Sequence, residues 1–358
     1  MSIYDSKLWI SDLDEIIADL PWLNELCGKS VFITGCSGLI CSAVTDILIR
    51  WNETRCGAND ADAKIRILAA GRNEQKVRAR FAPYDKADWF EFVYYDASAM
   101  ENTLTQPCDY IIHGASNASP NKITKEPAET MASNFIGLKF LLEHARKVNA
   151  KRVLYISSSE VYGKKDDNMP FREGEYGYID ILNPRMSYSV GKRAAETLCA
   201  SFADEYGVST VITRPGHIYG PTAAENDNRV SSAWPYDVAR GQNIVMKSAG
   251  SQIRSYCYCL DCASAILTVL LKGEPQHAYN ISNPDSIISI REMAEILAET
   301  AGVELHKELP TEAEKKSFNP MTNSSLDSAA LEALGWKGLF DAQRGFGHTI
   351  EILKEAII

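Results

Sequence analysis

From Lys29 to about residue 220 the chain repeats one unit: a short, almost wholly apolar run, a turn, then a stretch with helical spacing. The runs are "KSVFITG", "KIRILAAGR", "FEFVYYD", "CDYIIHGAS", "KRVLYISSS" and "VSTVITRPG"; "SAVTDILIRW", "AETMASNFIGLKFLLEHARKV" and "SVGKRAAETLCASFADEYG" are the helical stretches. Unbroken apolar runs mark strands covered on both faces, and parallel neighbours need a crossover helix between them. The expectation is an α/β fold with a doubly wound parallel sheet and ligands at the carboxyl ends of its strands. Residues 1–28 read as a helical extension ended by "CGK". After "YGP" the alternation loosens, so residues 221–358 are expected to form a smaller cap, some of whose segments return to the sheet.

A formal net charge of −10 argues against nucleic acid or an anionic membrane as partner, since phosphate surfaces call for a basic face. The first 29 residues carry acids and lack a continuous apolar run, which fits neither a signal peptide nor a membrane span, so a cytoplasmic location is expected. Nine cysteines, an odd number in mostly apolar segments, fit reduced thiols. Cys257, Cys259 and Cys262 lie in an apparent Tyr-rich strand with no second pair of ligands, and no metal site is expected.

The first strand ends in "TGCSGLIC", with Gly35, Gly38 and then Cys41 where a third glycine would complete a dinucleotide turn. The first glycine permits the turn, the second admits pyrophosphate, and the third lets helix and strand pack closely. Gly35, Ser37, Gly38, Leu39 and Ile40 are therefore candidate cofactor contacts. The second strand ends in Gly71 and Arg72; the arginine suits a 2′-phosphate and NADP, or is a solvated charge at a loop start. Asp96, ending the third run, suits an adenine contact or a simple turn acid.

"SYSVGK" sets Tyr188 and Lys192 four residues apart, on one helical face. A lysine charge near a phenol favours phenolate, which is expected to lower the tyrosine pKa toward that of a general base for an alcohol proton.

Together with "HGASNASP", "SSSEVYG", "RPGHIYGP", "IRSYCYCLD", "YNISNP" and "ALGW", these motifs resemble the extended short-chain dehydrogenase/reductases of the nucleotide-sugar epimerase, dehydratase and decarboxylase group. The resemblance runs from Lys29 to the C-terminus. It implies a Rossmann-type doubly wound parallel sheet with a smaller C-terminal substrate-binding cap, a dinucleotide-binding part at 29–220 and a nucleotide-sugar-binding cap in 221–358. It also implies NAD as cofactor, a nucleotide sugar as substrate and a homodimer formed through two helices per subunit. By this resemblance Tyr188 is the base, Lys192 binds the nicotinamide ribose and tunes it, and Ser158 holds the reacting hydroxyl. Pro215 and Gly216 lie beside the nicotinamide, and Ala97, Ala115 and Ser157 complete the cofactor site. Ser116, Asn117, Ser159, Glu160, His217, Arg229, Val230 and Arg254 are assigned to the substrate.

Members of the group oxidise the sugar at C4 and differ in the fate of the 4-keto intermediate. The Ser159-Glu160 pair is most similar to UDP-glucuronate decarboxylases, with Glu160 handling a proton near C4 and C5 and Arg254 near the departing carboxylate or the phosphate. A Ser-Glu pair is also compatible with dehydration, while Arg72 favours reduction by NADPH; 4-epimerisation and a non-catalytic dinucleotide sensor complete the alternatives. Three departures stand out: His217 where the group often has asparagine, Asn323 and Ser324 where an arginine is common, and Arg72 itself. Asn134 reads as either an active-site support or a satisfied buried amide, and Arg193 as a solvated helix charge.

Overall fold

The computed structural model describes residues 2–56, 63–116, 118–311 and 321–357. Its main sheet has seven strands, all parallel: β1 (Ser30–Thr34), β2 (Arg66–Gly71), β3 (Phe90–Tyr94), β4 (Tyr110–His113), β5 (Arg152–Ile156), β6 (Thr210–Pro215) and, from the cap, β10 (Ala278–Ile281). They lie in the order β10-β6-β5-β4-β1-β2-β3. The chain steps from β1 outward to β3, then restarts on the other side with β4. The order therefore reverses between β1 and β4, and a crevice opens above their carboxyl ends, where ligands of such sheets bind.

Alternation along β1 sends Val31 and Ile33 to one face and Phe32 to the other. The first face is covered by α2 (Leu39–Thr54) and α8 (Cys259–Lys272), and the second by α5 (Pro127–Val148) and α6 (Ser187–Tyr206). α5 and α6 each end on a left-handed residue, Asn149 and Gly207, which closes the last turn. Two further short helices, α3 (Glu74–Arg80) and α4 (Pro120–Lys125), complete the connections before α5.

The N-terminal segment contains α1 (Lys7–Ala18), capped by Ser6 Oγ on the Trp9 N–H at 3.3 Å, and a 3-10 turn over Pro21–Leu26. Trp9, Leu13, Ile16 and Ile17 are buried in the same core as α2 and α8. In the C-terminal part, β9 (Ile253–Tyr258) pairs in parallel with β7 (His217–Tyr219) and β13 (Asn323–Ser324), and antiparallel with β11 (Ile287–Ser289). β8 (Ile244–Met246) pairs with β12 (Leu305–Lys307), while α7 (Val230–Ala239) and α9 (Ile290–Ala301) flank them. The "SYCYCL" run does not stay extended: it turns into α8 at Cys259, so Cys257 is on the strand while Cys259 and Cys262 are on the helix. All three thiols are buried, and burial pushes them above the ordinary thiol range. Among the described residues no helix is long and apolar enough to cross a membrane.

Candidate active site

At the mouth of the crevice, Gly35 adopts φ +68°, and a Cβ there would stand 3.0 Å from the Ala115 amide nitrogen. The Gly38 N–H closes the turn on Gly35 O at 2.8 Å. Gly38 caps α2 with no side-chain hydrogen bond, which leaves the start of the helix, at Leu39 and Ile40, without a side-chain cap among the described residues. Ser37 is half-buried in the same turn. Cys41, in the third glycine's place, is accommodated from the opposite side: a Cβ on Gly114 would meet Cys41 Sγ at 2.3 Å. The missing glycine has been traded for one at the end of β4.

Two residues that sequence reasoning missed tie these strand ends together. Thr34 Oγ1 bonds His113 Nδ1 at 2.7 Å and accepts from the Gly114 and Ala115 N–H groups at 3.1 and 3.2 Å. His113 is fully buried against Tyr155, and burial together with Lys192 lowers its pKa to about 3. The signal lay in the polar residues ending two otherwise apolar strands.

Asp96 accepts from the Ser98 N–H and hydroxyl at 2.9 and 2.6 Å. Burial raises its pKa, but the Ser98 bonds and the charge of Arg72 outweigh this and hold the carboxyl below its usual range. Arg72 is exposed at the end of β2, and Ala97 is buried against Gly137 of α5.

The catalytic candidates converge from β5 and α6. β5 ends at Ile156 and is followed by Ser157, whose buried hydroxyl has no partner among the described residues, and by Ser158, which caps a 3-10 turn over Ser159–Tyr162 through its Oγ and the Glu160 N–H at 3.2 Å. Tyr188 and Ser158 adjoin, and Glu160 Oε2 accepts from Ser189 Oγ at 3.1 Å and faces Arg185 Nη1 at 3.6 Å. Ser189 and Arg185 are further residues that sequence reasoning passed over, although both flank Tyr188. Lys192 is buried, donates to Ile156 O at 2.8 Å, and lies 5.6 Å from the Tyr188 ring centroid.

The expected lowering of the tyrosine pKa is corrected by this geometry. Burial pushes the Tyr188 phenol up to about 12 and the Glu160 charge adds to it, against weaker downward pulls from Ser158, Arg229 and Arg185. Lys192 approaches the face of the ring, and its own pKa is lowered by burial to about 7.

A cationic wall closes the cap side. His217 begins β7 with Nδ1 buried and unpartnered among the described residues; burial, then Arg254 and Arg229, lower its pKa to about 3, so it is neutral and accepts or donates without charge. Arg254, nearly inaccessible on β9, donates to Ile253 O and Met321 O at 2.8 and 3.1 Å and has no carboxylate partner among the described residues. β13 sets Asn323 opposite Ile253 and Ser324 opposite Arg254. Arg229 caps α7 and pairs with Asp227 at 3.0 Å, followed by the exposed Val230. Pro215 ends β6, and the Gly216 N–H bonds Ile281 O at 3.1 Å.

Ser116 donates to Asn134 Oδ1 at 3.0 Å, while Asn134 also accepts from Tyr155 and donates to Thr130 O, which makes it a satisfied buried amide beside the site. Asn117 lies outside the described residues. Arg193 departs from expectation: rather than a solvated charge, it is half-buried and bonds three backbone carbonyls around the Glu160 turn.

Comparison with known proteins agrees with this layout. Residues 31–282 match the family model described as NAD dependent epimerase/dehydratase family. UDP-glucuronic acid decarboxylase 1 of Danio rerio is 27% identical over 333 residues, covering 93% of this chain and 74% of that protein. UDP-glucuronic acid decarboxylase 5 of Arabidopsis thaliana is 31% identical over 248 residues, 69% of this chain and 70% of that one. The structure of UDP-glucose 4-epimerase from Thermotoga maritima superposes with a TM-score of 0.75 at 22% identity, covering 92% of this chain and all of the other.

Proposed function

The chain belongs to the NAD dependent epimerase/dehydratase family, and from that premise we propose that it converts a nucleotide sugar through a 4-keto intermediate without net redox change, with UDP-glucuronate decarboxylation as the reaction. The observation that carries this reading is Glu160: a carboxylate beside the Tyr188 phenol, held by Ser189 and faced by Arg185. A 4-epimerase needs one base at C4; a second proton-handling group serves chemistry at C5. The names of the decarboxylase relatives support the same choice.

The residues fit NAD. The Gly35 cradle, the start of α2 and the Ser157 hydroxyl, the last two without a side-chain partner among the described residues, suit a pyrophosphate and a polar ring, with Ala97, Ala115, Pro215 and Gly216 as the apolar and backbone lining. When bound, NAD supplies the acceptor and donor of hydride for C4 of the sugar. Once its phenol has given up its own proton, the Tyr188 phenolate takes the C4 hydroxyl proton and later returns it, Ser158 hydrogen-bonds that oxygen, and Lys192 holds the ribose edge. With a carbonyl at C4, a carboxylate on C5 is that of a β-keto acid. The C5–C6 bond breaks, carbon dioxide leaves, the electron pair remains as an enolate, and C5 takes up a proton under the control of Glu160. The neutral His217 and the cations Arg229 and Arg254 serve the pyrophosphate and the carboxylate, and the nearly inaccessible Arg254 acts there with little solvent screening.

Arg72, exposed beside Asp96, favours a second reading with a 2′-phosphorylated cofactor. We take NAD as the resident form; tighter retention of NADP than NAD by the purified protein would reverse that choice. A homodimer is proposed on the exposed Met131 and Phe135 of α5, one turn apart; a monomeric mass in solution would remove it.

The test is incubation with UDP-, dTDP-, GDP- and CDP-sugars followed by mass spectrometry. A product lighter by carbon dioxide from UDP-glucuronate is expected. Loss of water assigns dehydration instead, and unchanged mass with altered retention assigns epimerisation.

A further inference from the structure

α6 reaches the Glu160 turn twice, with side chains one helical turn apart. Ser189 touches the carboxylate, at 3.1 Å. Arg193 touches the backbone: Nε donates to Val161 O at 2.6 Å, and Nη2 to Tyr162 O at 3.1 Å and Gly177 O at 2.9 Å. The same joint is closed from the other side by the Gly177 N–H on Tyr162 O at 2.7 Å and by the paired backbones of Lys164 and Tyr178. It is a tight joint, because a Cβ on Gly163 would stand 2.5 Å from Tyr178 O and one on Gly177 2.2 Å from Lys164 O. Gly163 also has φ +70°, so the chain leaves the turn in a conformation that suits glycine.

Arg193 makes no ion pair among the described residues; its hydrogen bonds go to three neutral carbonyls, its guanidinium lies 5.6 Å from the Tyr176 ring centroid, and the Glu196 charge favours it only from a distance. Withdrawing a guanidinium from water without a carboxylate is costly. What the arrangement gains is geometry, since the rigid fork of donors fixes three acceptors at once and a lysine cannot reproduce it. The segments it joins are the turn that carries Ser158 and Glu160 and the returning segment at residue 177, both locked to the helix that carries Tyr188.

We propose that Arg193 is a positioning residue for the step after C4 oxidation: it locks the Ser159–Tyr162 turn to α6, so that Glu160 is held at a fixed height over the reacting carbons beside Tyr188. This rests on the role given to Glu160 under the proposed function. A carboxylate displaced by about an ångström forfeits roughly 100-fold in rate. The first oxidation, run by Tyr188 and Ser158, is spared more than the step after it.

The experiment compares full-length wild type, Arg193→Gln, Arg193→Lys and Glu160→Gln with UDP-glucuronate, recording kcat, KM, bound cofactor, thermal midpoint and the absorbance of reduced nicotinamide during turnover. Arg193→Gln is expected to lower kcat by about 10- to 100-fold with KM changed by less than about threefold, and to accumulate reduced nicotinamide as Glu160→Gln does. Arg193→Lys, which keeps the charge and reaches fewer carbonyls, should recover part of kcat, and it decides the matter if the glutamine variant does not fold. Wild-type kcat in Arg193→Lys and Arg193→Gln, or a loss that tracks the thermal midpoint with no accumulated reduced nicotinamide, overturns the proposal. Accumulation in Glu160→Gln alone overturns it while leaving the Glu160 reading intact; unaltered turnover in Glu160→Gln overturns that reading instead.

Discussion

At the scale of single residues, the site is governed by burial. Tyr188 is held near pKa 12 and Lys192 near 7, so an undisturbed phenol is neutral and the ammonium next to it is close to releasing its proton. Tyr188→Phe removes the hydroxyl beside Ser158 that is proposed to take the C4 proton; turnover should vanish while the cofactor stays bound, and retained turnover would strip the residue of its role. His113 offers a test by pH. Between about pH 3 and 6.5 the unfolded chain binds a proton at this imidazole that the folded chain refuses, so stability falls as pH falls through that window. His113→Gln should cost about 1–3 kcal/mol at pH 7 through its lost packing and the changed bond to Thr34, and the gap to wild type should narrow as pH falls toward 4. Urea titrations across that range decide it, and a gap independent of pH contradicts the buried neutral imidazole. Tyr188 and Lys192 could be singled out because they stand one helical turn apart, whereas Glu160, 29 positions from the Ser189 it touches, was singled out only through the resemblance of its strand-end motif. Thr34 and His113 were not, since their bond spans 79 positions and exists only once β1 and β4 pair.

At the scale of elements, the cofactor turn depends on how closely α2 lies on the sheet. The irregular third position is resolved by a pair: Cys41 Sγ fills the space that a side chain on Gly114 would take. Gly114→Ala should therefore overpack the contact, costing about 1–3 kcal/mol and weakening NAD binding, and Cys41→Gly in the same chain should restore much of both. Thermal midpoints and NAD titration of the two single variants and the double one form the cycle; strictly additive effects would show that the two positions are not coupled. The parallel sheet and its helices were legible from the apolar runs, because strands covered on both faces lack alternation. The "SYCYCL" run misled at its end, since a short apolar stretch reads equally as strand or buried helix, and only the packing of α8 on the core decides where one becomes the other. Arg193 misled for a related reason: nothing in a helical repeat tells a charge facing water from one facing the carbonyls of a distant turn.

At the scale of the whole molecule, the N-terminal segment, residues 1–28 of which were read from sequence as an appended helical extension, is built into the main core through Trp9, Leu13, Ile16, Ile17, Leu23 and Leu26. Its polar groups make that attachment specific. Tyr4 donates to Asp46 on α2 at 2.6 Å, with Arg80 pairing the same carboxylate; Glu15 holds Arg344 in a two-pronged ion pair. Asp12, almost fully buried, accepts from Tyr258 on β9 at 3.0 Å and from His348, on the C-terminal helix Ala342–Ile357, at 2.9 Å. Partners 336 positions apart leave no trace in local spacing, so an amphipathic helix announced that it would bury one face but not which surface it would cover. The consequence is that the two chain ends jointly stabilise the packing around α2, α8 and β9, while the crevice lies at the carboxyl ends of the strands. Asp12→Ala would strand a tyrosine hydroxyl and a histidine nitrogen without their acceptor, at a cost of about 2–4 kcal/mol. The expected result is a lower urea midpoint and an unchanged kcat at a temperature where both proteins are folded. A drop in kcat at equal folded fraction would instead mean that the ends reach the site, through β9 and its Arg254, and that the cap is tuned by the anchor beneath it.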